Sequence, residues 1–194
     1  MNFLAHAYLS FHQPALLTGN MMGDFVKGRQ MALYPASVQR GIALHRAIDT
    51  FTDTHPSTMT AKDIFRPQTR LYGAVFVDII YDHFLANDPL HFTDASLQSF
   101  AQQVYHTLHI QDFALPPDFT RMIQYMSSEN WLYGYKSKEG IAQSFRGMVR
   151  RAKYIDFTAS VPLSVFETNY AALQQCYNDF FPELLTFAKD YIAA

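Results

Sequence analysis

His45 and Asp49 stand four residues apart, Asp78 and Asp82 repeat that spacing, and His83 adjoins the last carboxylate. On an α-helix, residues four apart lie roughly 40° from one another around the axis and one turn up, so each pair shares a face. Asp53 extends the first stripe by another turn. Only 16% of the chain is charged, and these carboxylates lie among Ile, Phe and Val. A buried carboxylate is costly unless it is paired, hydrogen-bonded or bound to metal. Two such helices packed together would pool imidazole and carboxylate donors around a cation. Nitrogen and oxygen donors without thiolate suit Mn²⁺, Fe²⁺, Mg²⁺ or Zn²⁺. Such a cation stabilises a phosphoryl oxygen and lowers the pKa of bound water. The expected chemistry is phosphoester hydrolysis.

Asp24, in Gly19-Asn20-Met21-Met22-Gly23-Asp24-Phe25, is a third source of oxygen donors, and Asn20 precedes it by four. Its small, apolar setting allows close approach by a backbone or a substrate. Arg46 and Lys27 are the expected phosphate partners, Arg for a bidentate grip and Lys as a point charge. Each residue also has a plainer reading. His6 is read as a hydrogen-bonded core residue, Asp53 as a cap or a partner of Arg46, His83 as structural, and Asn20 as a cap.

Elements that position these groups follow from apolar spacings of three and four, with no alternating strand pattern and no repeat. The pattern predicts helices over 16–26, 38–51 (Ser37 as N-cap), 69–85 and 93–108 (Thr93 as N-cap). Further helices are predicted over 119–126, 137–154 (Ser137 as cap) and 163–180, and Pro182 is read as a break before a helical tail. His55-Pro56-Ser57-Thr58 reads as the end of the second helix. The expectation is an all-α, single-domain bundle of seven or eight helices spanning residues 1–194.

The chain of 194 residues is 49% hydrophobic, with 17 Phe and 12 Tyr, so it can bury a full core. Its lone cysteine, Cys176, excludes an internal disulfide. No apolar run approaches a membrane span and the N-terminal residues lack a signal-peptide pattern, so a cytoplasmic location with no membrane partner is expected. A net charge of −2 gives no reason to expect nucleic acid. Between Arg121 and Lys153, however, seven basic residues face only Glu129 and Glu139. That local excess suits an acidic macromolecule. The sequence does not set an oligomeric state.

These residues also carry a resemblance. The chain resembles the acyl carrier protein phosphodiesterase family in Met1-Asn2-Phe3-Leu4-Ala5-His6, Gly19-Asn20 and Gly23-Asp24-Phe25-Val26-Lys27-Gly28. The likeness continues through Gly41-Ile42, His45-Arg46, Ile48-Asp49, Thr52-Asp53, Asp78 and Asp82-His83-Phe84-Leu85, then Tyr125-Met126 and Glu129-Asn130-Trp131-Leu132. The resemblance implies a helical fold related to HD-domain phosphohydrolases and a divalent metal, Mn²⁺ first, with Mg²⁺ or Fe²⁺ as alternatives. It implies hydrolysis of holo-acyl carrier protein to apo-carrier and 4′-phosphopantetheine. Carried over, Asp24, His45, Asp49, Asp78, Asp82 and His83 form the metal centre and its surroundings, undivided between ligands and their supports. The His-Asp doublet that names the HD superfamily is reversed here, as Asp82-His83. Arg146 and Arg150, one turn apart, with Arg151 and Lys153, become the expected dock for an acidic carrier. Trp131, Tyr133 and Tyr135 are read first as core packing, with contact to the pantetheine arm as the alternative. Two other functions fit the same residues: an HD-like phosphohydrolase of nucleotides or small phosphoesters, and a non-catalytic carrier-binding module.

Overall fold

The computed structural model describes residues 1–193 as an all-α fold with one hydrophobic core. The helices are α1 (Phe3–Tyr8), α2 (Pro14–Met21), α3 (Ala36–Thr54), α4 (Pro56–Thr69), α5 (Gly73–Ala86), α6 (Asp94–His109), α7 (Pro117–Ser128), α8 (Trp131–Gly134), α9 (Lys138–Arg151), α10 (Ser160–Thr168) and α11 (Tyr170–Ala193). Short 3₁₀ turns cover Gly23–Phe25, Gly28–Leu33 and Arg70–Tyr72. Among the described residues no helix is long and apolar enough to cross a membrane.

α5 is the central helix. It is apolar around most of its circumference, as a fully surrounded helix must be, and it packs on α1, α4, α9 and α11. Phe65, Phe76, Tyr81, Phe145, Phe166, Phe180 and Phe181 are fully buried around it. Each such aromatic or aliphatic side chain contributes roughly 1.5–3 kcal/mol on burial.

Thr93 and Ser137 cap α6 and α9 as their spacing predicts. The structure adds α1, α4 and α8 to the helices the apolar pattern suggests, and at three places its boundaries depart from that pattern for local reasons. Pro56 does not merely end α3. It sits at the first position of α4, where its missing N–H costs nothing and its φ is already helical, and the His55 side chain accepts from the Ser57 N–H. The predicted 69–85 helix divides at the 70–72 turn, where Arg70 takes φ +53°. The predicted 163–180 helix divides at Asn169, whereas Pro182 lies within the continuous α11. Buried Phe180, Phe181 and Leu184 flank that proline, and their packing outweighs the one backbone hydrogen bond it forgoes. Ser37 lies inside α3, and Pro35 holds the cap position.

A candidate metal centre at the mouth of a cavity

Two glycines let α2 and α3 meet backbone to backbone. A Cβ on Gly19 would lie 2.1 Å from the Val38 carbonyl oxygen, and one on Gly41 would lie 2.3 Å from that of Leu16. This approach sets the Asn20 carbonyl oxygen 2.7 Å from His45 Nδ1.

Asn20 then fixes the tautomers of two histidines. Its amide nitrogen donates to the His6 carbonyl oxygen (2.8 Å) and to Ser10 Oγ (3.1 Å). Its amide oxygen therefore faces His6 Nδ1, at 2.8 Å. A carbonyl oxygen can only accept, so the Nδ1 of both His6 and His45 donates, and Nε2 carries the lone pair of each neutral ring. This is the orientation a ligating histidine needs.

Both Nε2 atoms converge on Asp49. His6 Nε2 is 3.2 Å from Oδ1 and His45 Nε2 is 3.1 Å from Oδ2. Asp24 Oδ1 lies 3.2 Å from the same His45 nitrogen. The two imidazoles stack with centroids 4.2 Å apart. One donor atom each from His6, His45 and Asp49 lies within 4.8 Å of the other two. Donors sharing one ion sit about 2.1 Å from it and hence about 3–4 Å from one another, and the two separations from histidine to Asp49 fall in that range.

The electrostatics agree. Burial by itself lowers the His45 pKa, but hydrogen bonds and negative charge from Asp24 and Asp49 outweigh it and raise the pKa to about 9. Burial opposes ionisation of Asp49 as well, yet the bonds to His45 and His6 hold its carboxyl well below the usual range. His6 moves down, through burial and the neighbouring His45. The stacked pair thus holds its positive charge on His45, a proton that a ligated cation would have to displace. Asp24, 74% exposed, has its pKa lowered by the His45 hydrogen bond.

A cavity of about 630 Å³ opens beside the cluster. Asp24, Asp78 and the Met1 segment line it together with Val75, Ile79, Trp131 and Tyr135, and α9 adds Arg146, Arg150 and Arg151. Tyr135 is buried in the core and Trp131 and Tyr133 pack against it, as expected; Trp131 and Tyr135 also line the cavity, and Tyr133 hydrogen-bonds Asp94 through its hydroxyl.

A family model described as acyl carrier protein phosphodiesterase matches residues 1–184. The chain belongs to this family. It is 33% identical to the acyl carrier protein phosphodiesterases of Enterobacter sp. (strain 638) and Klebsiella pneumoniae (strain 342), with 98% of both chains covered in each case. It is 32% identical to that of Salmonella agona (strain SL483), with 97% of both chains covered. No solved structure matches.

In this family member the residues singled out from sequence divide. Asp24, His45 and Asp49 come together, and Asn20 orients them from behind. Asp78 borders the cavity, but its carboxylate pairs with the Met1 amino group at 3.0 Å, and that amino group is 3.9 Å from Asp49. Asp82 does not reach the cluster. It is fully buried and accepts from the backbone N–H groups of Leu4 (2.7 Å) and Ala5 (3.1 Å), capping α1 from a distance. His83 also turns away, with Nδ1 donating to the Tyr135 carbonyl oxygen (2.7 Å) and Nε2 accepting from the Tyr170 hydroxyl (3.1 Å). Asp53 pairs with Lys62 at 2.8 Å. Arg46 donates to the Val26 carbonyl oxygen at 3.1 Å and so braces the turn that carries Asp24. The Lys27 side chain is exposed. His6, expected in the core, is the added member of the cluster. Its sequence signals are a lone polar residue in Phe3-Leu4-Ala5-His6 and its place in the first segment of the family resemblance.

Proposed function

We propose that this protein is a divalent-cation-dependent phosphodiesterase that releases 4′-phosphopantetheine from the serine of holo-acyl carrier protein, with Mn²⁺ as the preferred ion. The observation that carries the reading is the convergence of His6 Nε2, His45 Nε2 and the carboxylates of Asp49 and Asp24 beside a cavity walled by arginines. The names of the similar proteins supply the substrate.

His6, His45 and Asp49 are the residues that would hold the cation, with Asp24 beside them on His45. When bound, it would withdraw charge from a phosphoryl oxygen and acidify a water molecule. Asn20 keeps both imidazoles aimed and in the required tautomer. Arg150 and Arg151 compensate the negative charge of the phosphodiester arm. Trp131, Val75 and Ile79 offer apolar surface to the rest of the arm, and the cavity has the size of an ordinary small-molecule site. Water attacks phosphorus, the bond from phosphorus to the serine oxygen breaks, and that oxygen takes up a proton. Asp24, the exposed carboxylate of the cluster, is placed to orient the water.

The test is incubation of the purified protein with holo-carrier and Mn²⁺, read by intact mass. The carrier should lose the prosthetic group, and His45→Ala or Asp49→Ala should abolish that loss. A wild-type protein that leaves the carrier intact with every divalent cation, or that turns over nucleotides in preference, overturns the reading.

A further inference from the structure

The seven basic residues between Arg121 and Lys153 are not equivalent in the fold. Arg121 pairs with Asp118, Lys136 with Asp94 and Arg146 with Glu139. Among the described residues, Lys138, Arg150, Arg151 and Lys153 enter no ion pair. Three of these four cluster at the C-terminal end of α9, where Arg150 and Arg151 also line the cavity.

The segment that follows α9 folds onto the 70–72 turn. Arg70 Nη1 lies 3.4 Å from Asp156 Oδ2, and the Phe157 ring is 6.4 Å from Tyr72 and 6.2 Å from Phe76. Two large side chains beside these contacts remain open. Leu71 is 94% exposed and Tyr154 is 83% exposed. Arg70, at φ +53° with ψ −125°, takes a conformation that L residues rarely adopt, and it does so at this turn. Cations in the last turn complement the helix dipole, which accounts for arginines at the end of α9. The dipole does not account for the open Tyr154, three residues beyond Arg151, or for the open Leu71 beside the Arg70–Asp156 pair.

We infer that Leu71 and Tyr154, flanked by the unpaired Arg150, Arg151 and Lys153, form a docking surface beside the cavity for the acidic carrier protein that presents the phosphodiester. The inference rests on the phosphodiesterase reading for its partner. An apolar centre with a charged rim is the usual anatomy of a protein interface. The charge selects an acidic occupant and speeds its arrival. Nucleic acid would engage the cations but has no use for an exposed aliphatic leucine.

The experiment compares Leu71→Ser, Tyr154→Ser and Lys153→Glu with Leu90→Ser. Leu90 is 87% exposed in the turn between α5 and α6, away from these contacts. With holo-carrier and Mn²⁺, each of the first three variants should raise KM about five- to tenfold with kcat held. Leu90→Ser should leave KM unchanged, and Lys153→Glu should flatten the dependence of KM on salt. Calorimetric affinity for the carrier should fall in parallel. Unchanged KM in the three variants, or an equal rise in Leu90→Ser, overturns the surface. So does selective loss of binding to a DNA duplex or to phosphatidylglycerol vesicles while carrier affinity holds. If wild-type protein binds the carrier through these residues without cleaving it, the surface stands and the phosphodiesterase reading falls.

Discussion

The His6–His45–Asp49 cluster and the Asp82–His83 pair contain the same chemical groups, and both are set largely inside the protein, yet they differ in where their lone pairs go. In the first, each imidazole uses Nδ1 on an Asn20 oxygen and leaves Nε2 facing a shared carboxylate. In the second, Asp82 is saturated by two backbone N–H groups, and both His83 nitrogens are occupied by Tyr135 and Tyr170. A saturated polar group in the interior stabilises a fold. Convergent groups with donor capacity in reserve can accept a ligand. The difference between the two regions is one of satisfaction rather than composition.

The strongest way to break this comparison is to remove one histidine from each region. His45→Ala should lower kcat/KM for holo-carrier by more than about a hundredfold while the fold persists, because a proposed ligand is lost. His83→Ala should keep Mn²⁺ affinity and instead destabilise the protein by about 1–3 kcal/mol, since it leaves the Tyr135 carbonyl unpaired. Paired titrations of metal binding and chemical denaturation check both, and equal loss of metal affinity in the two variants would erase the distinction.

A smaller effect is expected at Asn20, which contacts the cluster only from behind. Asn20→Ala keeps the backbone carbonyl that orients His45 but frees the His6 ring, so Mn²⁺ affinity should fall about 10- to 100-fold. Isothermal titration of the metal reads this directly.

Asp82 gives a pH signature that belongs to stability. Burial pushes its carboxyl up from the ordinary 3.8 to about 7, against the hydrogen bonds from Leu4 and Ala5. Between those values the folded chain holds a proton that the unfolded chain has released. The resulting stabilisation is present at low pH and is lost as pH rises through about 7. The unfolding free energy of wild type minus that of Asp82→Asn should therefore decline between about pH 4 and 7 and level off above. A flat difference in denaturant melts across that window would place the Asp82 pKa at its ordinary value.

The smallest expected effect separates two arginines of one helix. Arg150→Glu should raise KM for the carrier severalfold, and Arg146→Glu less, because Arg146 is already paired with Glu139 at 2.9 Å and exposed pairs of this kind are weak but competing partners. Equal KM values for the two variants would remove any meaning from that pairing.

Much of the helical class was legible in the chain, since apolar spacing and the caps at Thr93 and Ser137 act within one or two turns. α4 was not, because Pro56 reads equally as a stop or as a first residue, and only the packing of Thr58, Ala61 and Phe65 into the core decides for a helix. The site was half legible. His45 and Asp49 share a face through local geometry, and Asp24 follows Asn20 at the same interval. His6 lay outside that reading because α1 has six residues, too few to be stable alone. Its place depends on burial of Leu4 and Ala5 and on the cap supplied by Asp82, more than seventy residues later.

By itself the amino-acid sequence determined the helical periodicity, the i to i+4 pairing of imidazole with carboxylate, the glycines that permit α2 and α3 to touch, and the local surplus of positive charge. The tertiary structure decided which histidine joined Asp49, which aspartate became a cap, and which arginines stayed unpaired. The physical reason is that helical spacing is set by bonds within a turn, whereas a polar group's free valence depends on every neighbour that folding brings to it.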